Sequence, residues 1–252
     1  QGFVSAEEYH QNYLEKNPNG YCPDHSTGVV FNKTPVEKVD NTALLSGKQI
    51  VVLDSREYCP YCEKFKKTVA NDYKGTIPMS FRHADQLDDL TIKSATWATP
   101  TILFLENGIE VYGRQGYATP EEFYKALGAF KLGNSDAYKV AFDARTDRPY
   151  CKEYKEFKNT PDGTFVDKLS GEPLFDTSDR FNSGTGWLSF KHPVKSSVTQ
   201  HDDSSWGITR IELRSKSTGI HLGHLFPGEG PRGTDRYCIN ATVLDFVPRD
   251  KS

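Results

Sequence analysis

The 252-residue sequence has few cysteines, a single methionine and no long apolar run. Its five cysteines are too few and too scattered for a disulfide scaffold, and their odd number suits redox exchange better than permanent cross-links. No apolar stretch approaches the roughly 18 residues of a membrane-spanning helix. The net charge of −3 provides no electrostatic footprint for nucleic acid or an anionic membrane. We therefore expect neither a nucleic-acid partner nor a membrane span.

The chain starts with Gln1 instead of a methionine, and its first residues contain no signal-like apolar segment. Such a start is typical of a mature exported protein, and the single Met79 fits an oxidising compartment. We expect a periplasmic or otherwise exported location, with a cytoplasmic location as the alternative.

The length of the chain favours two domains, each large enough to bury a core. Residues 1–45 are polar and rich in turns, with one helical candidate from Ser5 to Leu14, and are interpreted as an extension packed on the first domain. The first domain is predicted at residues 46–132, a linker at 133–145, and the second domain at 146–252.

The first domain has an α/β pattern. The β-branched apolar run Gln49–Leu53 predicts a buried strand, and a helix is expected from Cys59 to about Asn71. A capping box at Thr119–Glu122, with proline at the first helical position, predicts a second helix to about Phe130. Four strands are predicted in chain order: Gln49–Leu53, Met79–Arg82, Thr101–Leu105 and Ile109–Tyr112. A helical segment is expected between the second and the third of these strands.

The second domain has the pattern of an antiparallel β-sheet protein. Polar and apolar residues alternate along Arg210–Arg214, and Thr164–Leu169 and Cys238–Val247 also have strand composition. Turns rich in glycine and serine separate these segments. We expect a mainly antiparallel β domain.

Two of the cysteines form a dithiol motif, Cys59-Pro60-Tyr61-Cys62, at the beginning of the predicted helix. The unpaired N–H groups and the dipole at a helix N-terminus favour a thiolate at Cys59, and Cys62 is one turn away. The alternative is half of a metal site, but the first domain has no second cysteine pair to complete it. The spacing therefore predicts reversible disulfide chemistry.

From about Gly47 to Leu132 the chain resembles the thioredoxin family. Besides the dithiol, Trp97-Ala98-Thr99-Pro100-Thr101 is similar to the family's cis-proline loop. The resemblance implies a thioredoxin-like fold in which Cys59 and Cys62 are redox-active. It also implies that Pro100 lies against the dithiol and that the Thr99 backbone pairs with a bound chain. The Pro-Tyr dipeptide is more typical of glutaredoxins, so glutathione chemistry is an alternative.

In the second domain, Cys238 lies in a segment that follows histidine, arginine and tryptophan residues, and a single cysteine in such surroundings suits nucleophilic attack on a substrate. From about Thr146 to Pro248 the domain resembles the B-type methionine sulfoxide reductases. Four blocks occur in the family's order: Ser170-Gly171-Glu172-Pro173-Leu174-Phe175, Ser183-Gly184-Thr185-Gly186-Trp187, His221-Leu222-Gly223-His224 and Arg236-Tyr237-Cys238-Ile239-Asn240.

This resemblance implies a role for each residue of the site. The Cys238 thiolate, assisted by Arg236, attacks the sulfoxide sulfur and becomes a sulfenic acid, which a second thiol must resolve. His221 and His224 hold and protonate the sulfoxide oxygen. The substrate-binding residues are Trp187, which receives the S-methyl group, and Asn240, which fixes the local hydrogen bonds.

Two departures of the sequence from the family bear on the mechanism. Many relatives bind a structural zinc with two cysteine pairs, whereas the matching positions here are Asp167, Ser170, Ser215 and Thr218, so we expect no zinc and no other cofactor. Many relatives also carry the resolving cysteine where this chain has Thr185. Cys151 is the first candidate for that role, with Cys22 or the dithiol as alternatives.

The sequence thus predicts an enzyme that reduces the R epimer of methionine sulfoxide, free or in proteins, and is recycled by the attached dithiol. Electrons are expected from an external thiol donor, either thioredoxin-like or a membrane thiol reductant. One alternative is a thiol–disulfide oxidoreductase of exported proteins whose second domain binds clients. Another is a redox-sensing interaction module without turnover.

Overall fold

The computed structural model describes residues 38–207 and 209–249. The helical candidate at residues 5–14 and Cys22 lie outside the described residues. No helix in the described part of the chain is long and apolar enough to cross a membrane.

The first sheet has four strands in the order β2-β1-β3-β4, with β1 parallel to β2 and antiparallel to β3. The strands are β1 (Lys48–Leu53), β2 (Met79–Arg82), β3 (Thr101–Glu106) and β4 (Ile109–Gln115). Ile50 to Leu53 are almost completely buried, as the continuous apolar run predicts. Ile50 and Val52, on one face of the sheet, belong to one hydrophobic cluster, and Val51 and Leu53, on the other face, belong to a second.

The two predicted helices of this domain are present. Helix α1 (Pro60–Thr68) begins with proline, and the Cys59 sulfur before it accepts the N–H of Cys62 at 3.1 Å. Helix α2 (Pro120–Leu132) begins with the predicted capping box, in which Thr119 and Glu122 bond each other's backbone N–H. Both N-termini are thereby supplied with acceptors for their unpaired donors.

The helical segment expected between β2 and β3 is wrong: the structure describes every residue from His83 to Pro100 and forms turns there, with no helix. Side chains from elsewhere hold this backbone. The Asn41 amide donates to the carbonyls of Gln86 and Asp88, and the Glu110 carboxylate accepts N–H groups of the next segment. These long-range hydrogen bonds override the local preference of the segment.

The segment 133–145, where a linker was expected, contains helix α3 (Asp136–Asp143). Its Val140 and Ala141 are buried, and it packs on α2. The approach is close, because an added Cβ at Gly128 of α2 would lie 2.2 Å from the Phe142 ring. The connection between the domains is therefore a packed helix.

The second domain contains helix α4 (Lys152–Phe157) and two antiparallel sheets. The three-stranded sheet has the order β13-β5-β6, and the six-stranded sheet has the order β7-β8-β12-β11-β10-β9. The strands are β5 (Gly163–Asp167), β6 (Pro173–Asp176), β7 (Arg180–Phe181), β8 (Leu188–Phe190), β9 (Val198–Asp203), β10 (Arg210–Ser215), β11 (His221–Phe226), β12 (Arg236–Ile239) and β13 (Leu244–Pro248).

The single strand expected over Cys238–Val247 is wrong. A 3₁₀ turn at Ala241–Val243 divides it, so that β12 and β13 belong to different sheets. Asn240 precedes this turn and Thr242 lies within it. The Asn240 amide donates to a backbone carbonyl of β11, and Thr242 donates to the Asp147 carboxylate through its hydroxyl and its N–H. The chain therefore changes sheet immediately after the reactive-cysteine block.

The two domains share one hydrophobic cluster, to which Tyr124 and Leu127 of α2 and Val140 of α3 all belong. The Lys74 N–H also donates to the Ser170 carbonyl at 2.7 Å. The Lys131 ammonium, in the last turn of α2, donates to the Lys168 carbonyl and forms an ion pair with Asp245. Apolar contacts and buried polar bonds therefore both join the domains.

Candidate active site

Cys238 lies in the middle of β12 with a strand on each side. It pairs across the sheet with His224 on β11 and with Ser189 on β8. Side chains two residues apart project from the same face of a strand, so Arg236 and Asn240 lie on the same side as Cys238. Directly opposite residues of an antiparallel pair have Cβ atoms about 5 Å apart. One sheet face thus brings together the thiol, an imidazole and a guanidinium.

The two histidines share this face because β11 contains a β-bulge. Glu212 pairs with His224 but Arg214 pairs with His221, which leaves Leu222 as an extra residue in β11. On a regular strand a three-residue spacing would place the two rings on opposite faces. With the bulge, the ring centroids are 5.3 Å apart in an edge-to-face arrangement.

Gly223 allows β11 to lie against β12 at this point. Its φ is +152°, and an added Cβ would lie 2.0 Å from the Cys238 carbonyl oxygen. Any other residue would push β11 away from the thiol-bearing strand. The glycine of the His-Leu-Gly-His block is therefore required by packing beside the reactive cysteine.

A cavity of about 150 Å³ opens on Cys238. Five residues predicted from sequence line it: Trp187, His224, Arg236, Cys238 and Asn240. The other described lining residues are Thr146, Thr185, Arg210, Gly223 and Phe226. Neither His221 nor Cys151 is among the described residues that line this cavity, whereas Thr185 is.

The Cys238 thiol is largely withdrawn from solvent, and this burial raises its pKa. The Arg236 guanidinium opposes the rise, since it hydrogen-bonds and attracts the thiolate, and Glu229 adds to it. Arg236 is itself fixed, because it donates to Glu229 at 2.6 Å and lies 4.2 Å over the Phe226 ring. The geometry supplies one cation to stabilise an otherwise costly thiolate.

Each histidine is bound to its own carboxylate, and neither carboxylate was identified from the sequence. The His221 Nδ1 lies 2.7 Å from Glu212 Oε1, and the His224 Nε2 lies 2.9 Å from Asp203 Oδ2. Burial lowers the pKa of His221, while Glu212 opposes that change. A glutamate within the alternating Arg210–Ser215 strand is the signal that could have indicated a buried partner.

Asp147 holds both predicted substrate-binding residues and was also missed. Its carbonyl accepts the Trp187 indole N–H at 3.1 Å, and its N–H donates to the Asn240 side chain at 2.9 Å. Its carboxylate is buried, which raises its pKa, although Thr242 donates two hydrogen bonds to it. Because Asp147 bonds Trp187 and Asn240 through its backbone, no side-chain motif in the sequence indicates these contacts.

Cys151 lies next to this arrangement, at the N-cap of α4. Its sulfur accepts the Tyr154 N–H at 3.4 Å and lies 3.9 Å from Asp147 Oδ2. Burial raises the pKa of the Cys151 thiol, and Asp147 adds to the rise. Among the described cysteines, Cys151 and Cys238 carry free thiols. Asp147 therefore connects Cys151 with the residues around Cys238.

The dithiol of the first domain is closed as a Cys59–Cys62 disulfide. The Thr99–Pro100 peptide bond is cis, and the Thr99 carbonyl oxygen lies 3.7 Å from the Cys59 sulfur. Three exposed aromatic residues adjoin these segments: Tyr58 is 85% exposed, Tyr61 61% and Trp97 82%. The disulfide thus borders an open apolar surface.

Asp167, Ser170, Ser215 and Thr218, the positions for which the sequence predicts no zinc, come together as a buried hydrogen-bonded cluster. Asp167 accepts from the Thr218 hydroxyl at 2.6 Å and from two backbone N–H groups. The Ser170 and Ser215 hydroxyls both bond the Ser217 hydroxyl, at 2.8 and 3.1 Å. Within residues 38–207 and 209–249, no group of three or more His, Cys, Asp or Glu residues could hold a metal ion.

Comparison with family models finds two matches along the chain. A SelR domain matches residues 134–248, and a thioredoxin-like domain matches residues 36–131. The first match contains Cys238, both histidines and helix α3, and the second contains the Cys59–Cys62 disulfide. Together the two matches cover the two architectures described above.

Proposed function

Residues 134–248 belong to the SelR family of methionine-R-sulfoxide reductases and residues 36–131 form a thioredoxin-like domain; on this premise we propose that Cys238 performs the reduction and that the Cys59–Cys62 dithiol regenerates it. The observation that carries the first step is the cross-strand pairing of Cys238 with His224 in one cavity. The second step is supported by the Cys59–Cys62 disulfide in the thioredoxin-like part of the same chain.

In the reductive step the Cys238 sulfur attacks the sulfoxide sulfur while the oxygen is protonated. The products are a thioether and a Cys238 sulfenic acid, so the thiol proton ends on the transferred oxygen. Arg236 stabilises the thiolate, and the histidine pair passes the proton. Trp187 forms an aromatic wall for the S-methyl group beside the thiol.

In the resolving step a second thiol condenses with the sulfenic acid, which forms a disulfide and releases water. We favour Cys151 as that thiol, because Asp147 contacts it and also holds Trp187 and Asn240. Cys151 must move to reach Cys238, since it does not line the cavity. Cys22 and direct attack by Cys59 are the alternatives.

Recycling then transfers the oxidising equivalents by thiol–disulfide exchange to Cys59 and Cys62. An external thiol donor, thioredoxin-like or membrane-bound, reduces that disulfide again. The substrate is oxidised methionine, free or in proteins, and no zinc or other cofactor takes part. The chain acts in the periplasm or another exported location.

A single-turnover assay tests this function. Fully reduced protein is mixed with racemic methionine sulfoxide, and methionine and remaining thiols are counted. We expect about two methionines per unmodified chain, because the reduced Cys59–Cys62 dithiol regenerates Cys238 once. We expect about one from Cys59→Ser and none from Cys238→Ser. Turnover by Cys238→Ser would overturn the proposal.

The exposed aromatic residues around the disulfide favour a second function, exchange of disulfides with client proteins. Tyr58 and Trp97 form a surface on which an extended chain could dock beside the Thr99 backbone. In this case Cys238→Ser would still reduce disulfides in a client protein at the rate of the unmodified chain. Loss of that activity only in Cys59→Ser would assign it to the dithiol.

A further inference from the structure

The histidine pair is asymmetric, because the two rings use opposite nitrogens to bond their carboxylates. His221 uses Nδ1 toward Glu212, and His224 uses Nε2 toward Asp203. An ionised carboxylate only accepts hydrogen bonds, so each bonded nitrogen carries a hydrogen. In the neutral rings, the bare nitrogen is therefore Nε2 in His221 and Nδ1 in His224.

Glu212 is fully engaged in holding this arrangement. One of its oxygens bonds His221, and the other accepts from Arg214 Nη2 at 2.7 Å and Nε at 2.9 Å. Glu212 is only 6% exposed and His221 only 3%. Burial by itself would raise the pKa of Glu212, but the bonds from Arg214 and His221 outweigh it and lower that pKa. The carboxylate therefore stays ionised beside the ring.

The Nε2 atom of His221 has no partner in the described part of the chain comparable to the Glu212 carboxylate that bonds Nδ1. His221 Nε2 is completely buried and has no hydrogen-bond partner among the described residues. Buried ring nitrogens almost always have a partner, so this nitrogen needs one that is not among the described residues, and we assign that place to water. The β-bulge places this ring beside His224, which does line the Cys238 cavity.

We propose that Glu212 is a positioning residue of the reductase: it keeps the His221 hydrogen on Nδ1, which leaves Nε2 to exchange a proton with water that connects it to the sulfoxide oxygen. This inference rests on the proposed function. In the overall step the thiol and the sulfoxide become a sulfenic acid and a thioether. His221 only relays the thiol proton to the transferred oxygen, so it ends the step as it began.

Other charged groups around His221 do not replace Glu212. Arg214 is bound to Glu212, and His224 to Asp203. His201 of β9 and Glu121 and Lys125 of α2 line the groove that borders His221, but no bond from them to the ring is present in the described structure. Glu212 is thus the residue that determines which ring nitrogen carries the hydrogen.

The test compares Glu212→Ala and Glu212→Gln with Glu121→Gln, which removes an exposed carboxylate across the groove. Nitrogen NMR of the full chain, labelled in histidine, reports the tautomer of His221, and the pH dependence of single-turnover reduction reports its protonation. In Glu212→Ala the hydrogen of His221 should move to Nε2, and the single-turnover rate should fall at least about tenfold.

Glu212→Gln keeps an oxygen acceptor and should recover the Nδ1–H tautomer and part of the rate, with the His221 limb of the pH profile moved to lower pH. Glu121→Gln should match the unmodified chain in both measurements. An unchanged tautomer or rate in Glu212→Ala would overturn the proposal, and if that variant does not fold, an unchanged pH profile in Glu212→Gln would do so. Failure of the proposed function itself is recognised separately, because the unmodified chain would then give no methionine burst.

Discussion

The Asp167 carboxylate accepts a 2.6 Å hydrogen bond from the Thr218 hydroxyl, although the two residues are 51 positions apart in the chain. This bond joins the end of β5 to the turn between β10 and β11. The turn after β5 also receives the Lys74 N–H of the first domain, through Ser170. Neutral hydroxyls and one carboxylate therefore hold this corner of the second domain.

Because hydrogen bonds hold this corner, metal removal should not weaken the protein, whereas Asp167→Ala should. The variant leaves the Thr218 hydroxyl and two N–H groups without their acceptor, and we expect a loss of about 2–3 kcal/mol in the free energy of unfolding. Urea denaturation with and without a chelator measures both effects, and Asp162→Ala, at an exposed carboxylate, is the control. About one zinc per chain by elemental analysis, or a chelator-sensitive midpoint, would contradict this account.

Reduction should be confined to the R epimer of the sulfoxide. Trp187 and His224 both line the cavity at Cys238, and we expect only one arrangement of methyl group and oxygen around the sulfoxide sulfur to contact both residues. Chiral chromatography of the sulfoxide that remains after incubation should show the S epimer untouched. Equal consumption of the two epimers would be incompatible with this cavity.

Alkylation of Cys238 should be slow at neutral pH and should accelerate as the pH rises. Burial raises the pKa of this thiol above the ordinary 9.0, so the reactive thiolate is scarce below that pH. Arg236→Gln removes the group that lowers the pKa, so alkylation should become slower still at every pH below the new midpoint. Mass spectrometry of the Cys238 peptide measures the rate, and Arg232→Gln, at an exposed arginine of the neighbouring loop, should behave as the unmodified chain.

Cys151→Ser should keep the single burst of methionine but recycle slowly or not at all, because the Cys238 sulfenic acid then has no resolving thiol. Labelling with a sulfenic-acid reagent after the burst should show the species accumulating at Cys238. Cys151 is also an N-cap, and serine retains an acceptor for the Tyr154 N–H, so the fold should persist. Normal recycling would transfer the role to Cys22 or Cys59.

Cys62→Ser should trap a mixed disulfide between Cys59 and the oxidised second domain, since the thiol that releases it is missing. Cys59→Ser should trap nothing, and both variants should still give one equivalent of methionine. Peptide mapping under non-reducing conditions identifies the cross-link and the second cysteine. A Cys62→Ser chain that recycles at the normal rate would show that an unattached reductant acts on Cys238 directly.

The residues visible to sequence analysis were those that form local motifs. The strand at Gln49, the capping box at Thr119 and the blocks around His221 and Cys238 all lie within a few positions, where periodicity and spacing apply. The bulge at Leu222 was not predicted, because it depends on the register between β10 and β11. The backbone contacts of Asp147 have no side-chain signature, and the carboxylate partners of the histidines are 9 and 21 positions away.

The shared hydrophobic cluster changes how the chain can be dissected. A cut after residue 132 would leave Tyr124 and Leu127 exposed on one fragment and Val140 on the other, with the Lys131–Asp245 ion pair divided between them. Fragments with such surfaces tend to associate or precipitate, so their loss of activity would say nothing about electron transfer. Single cysteine substitutions in the intact chain are therefore the sound way to follow the electrons.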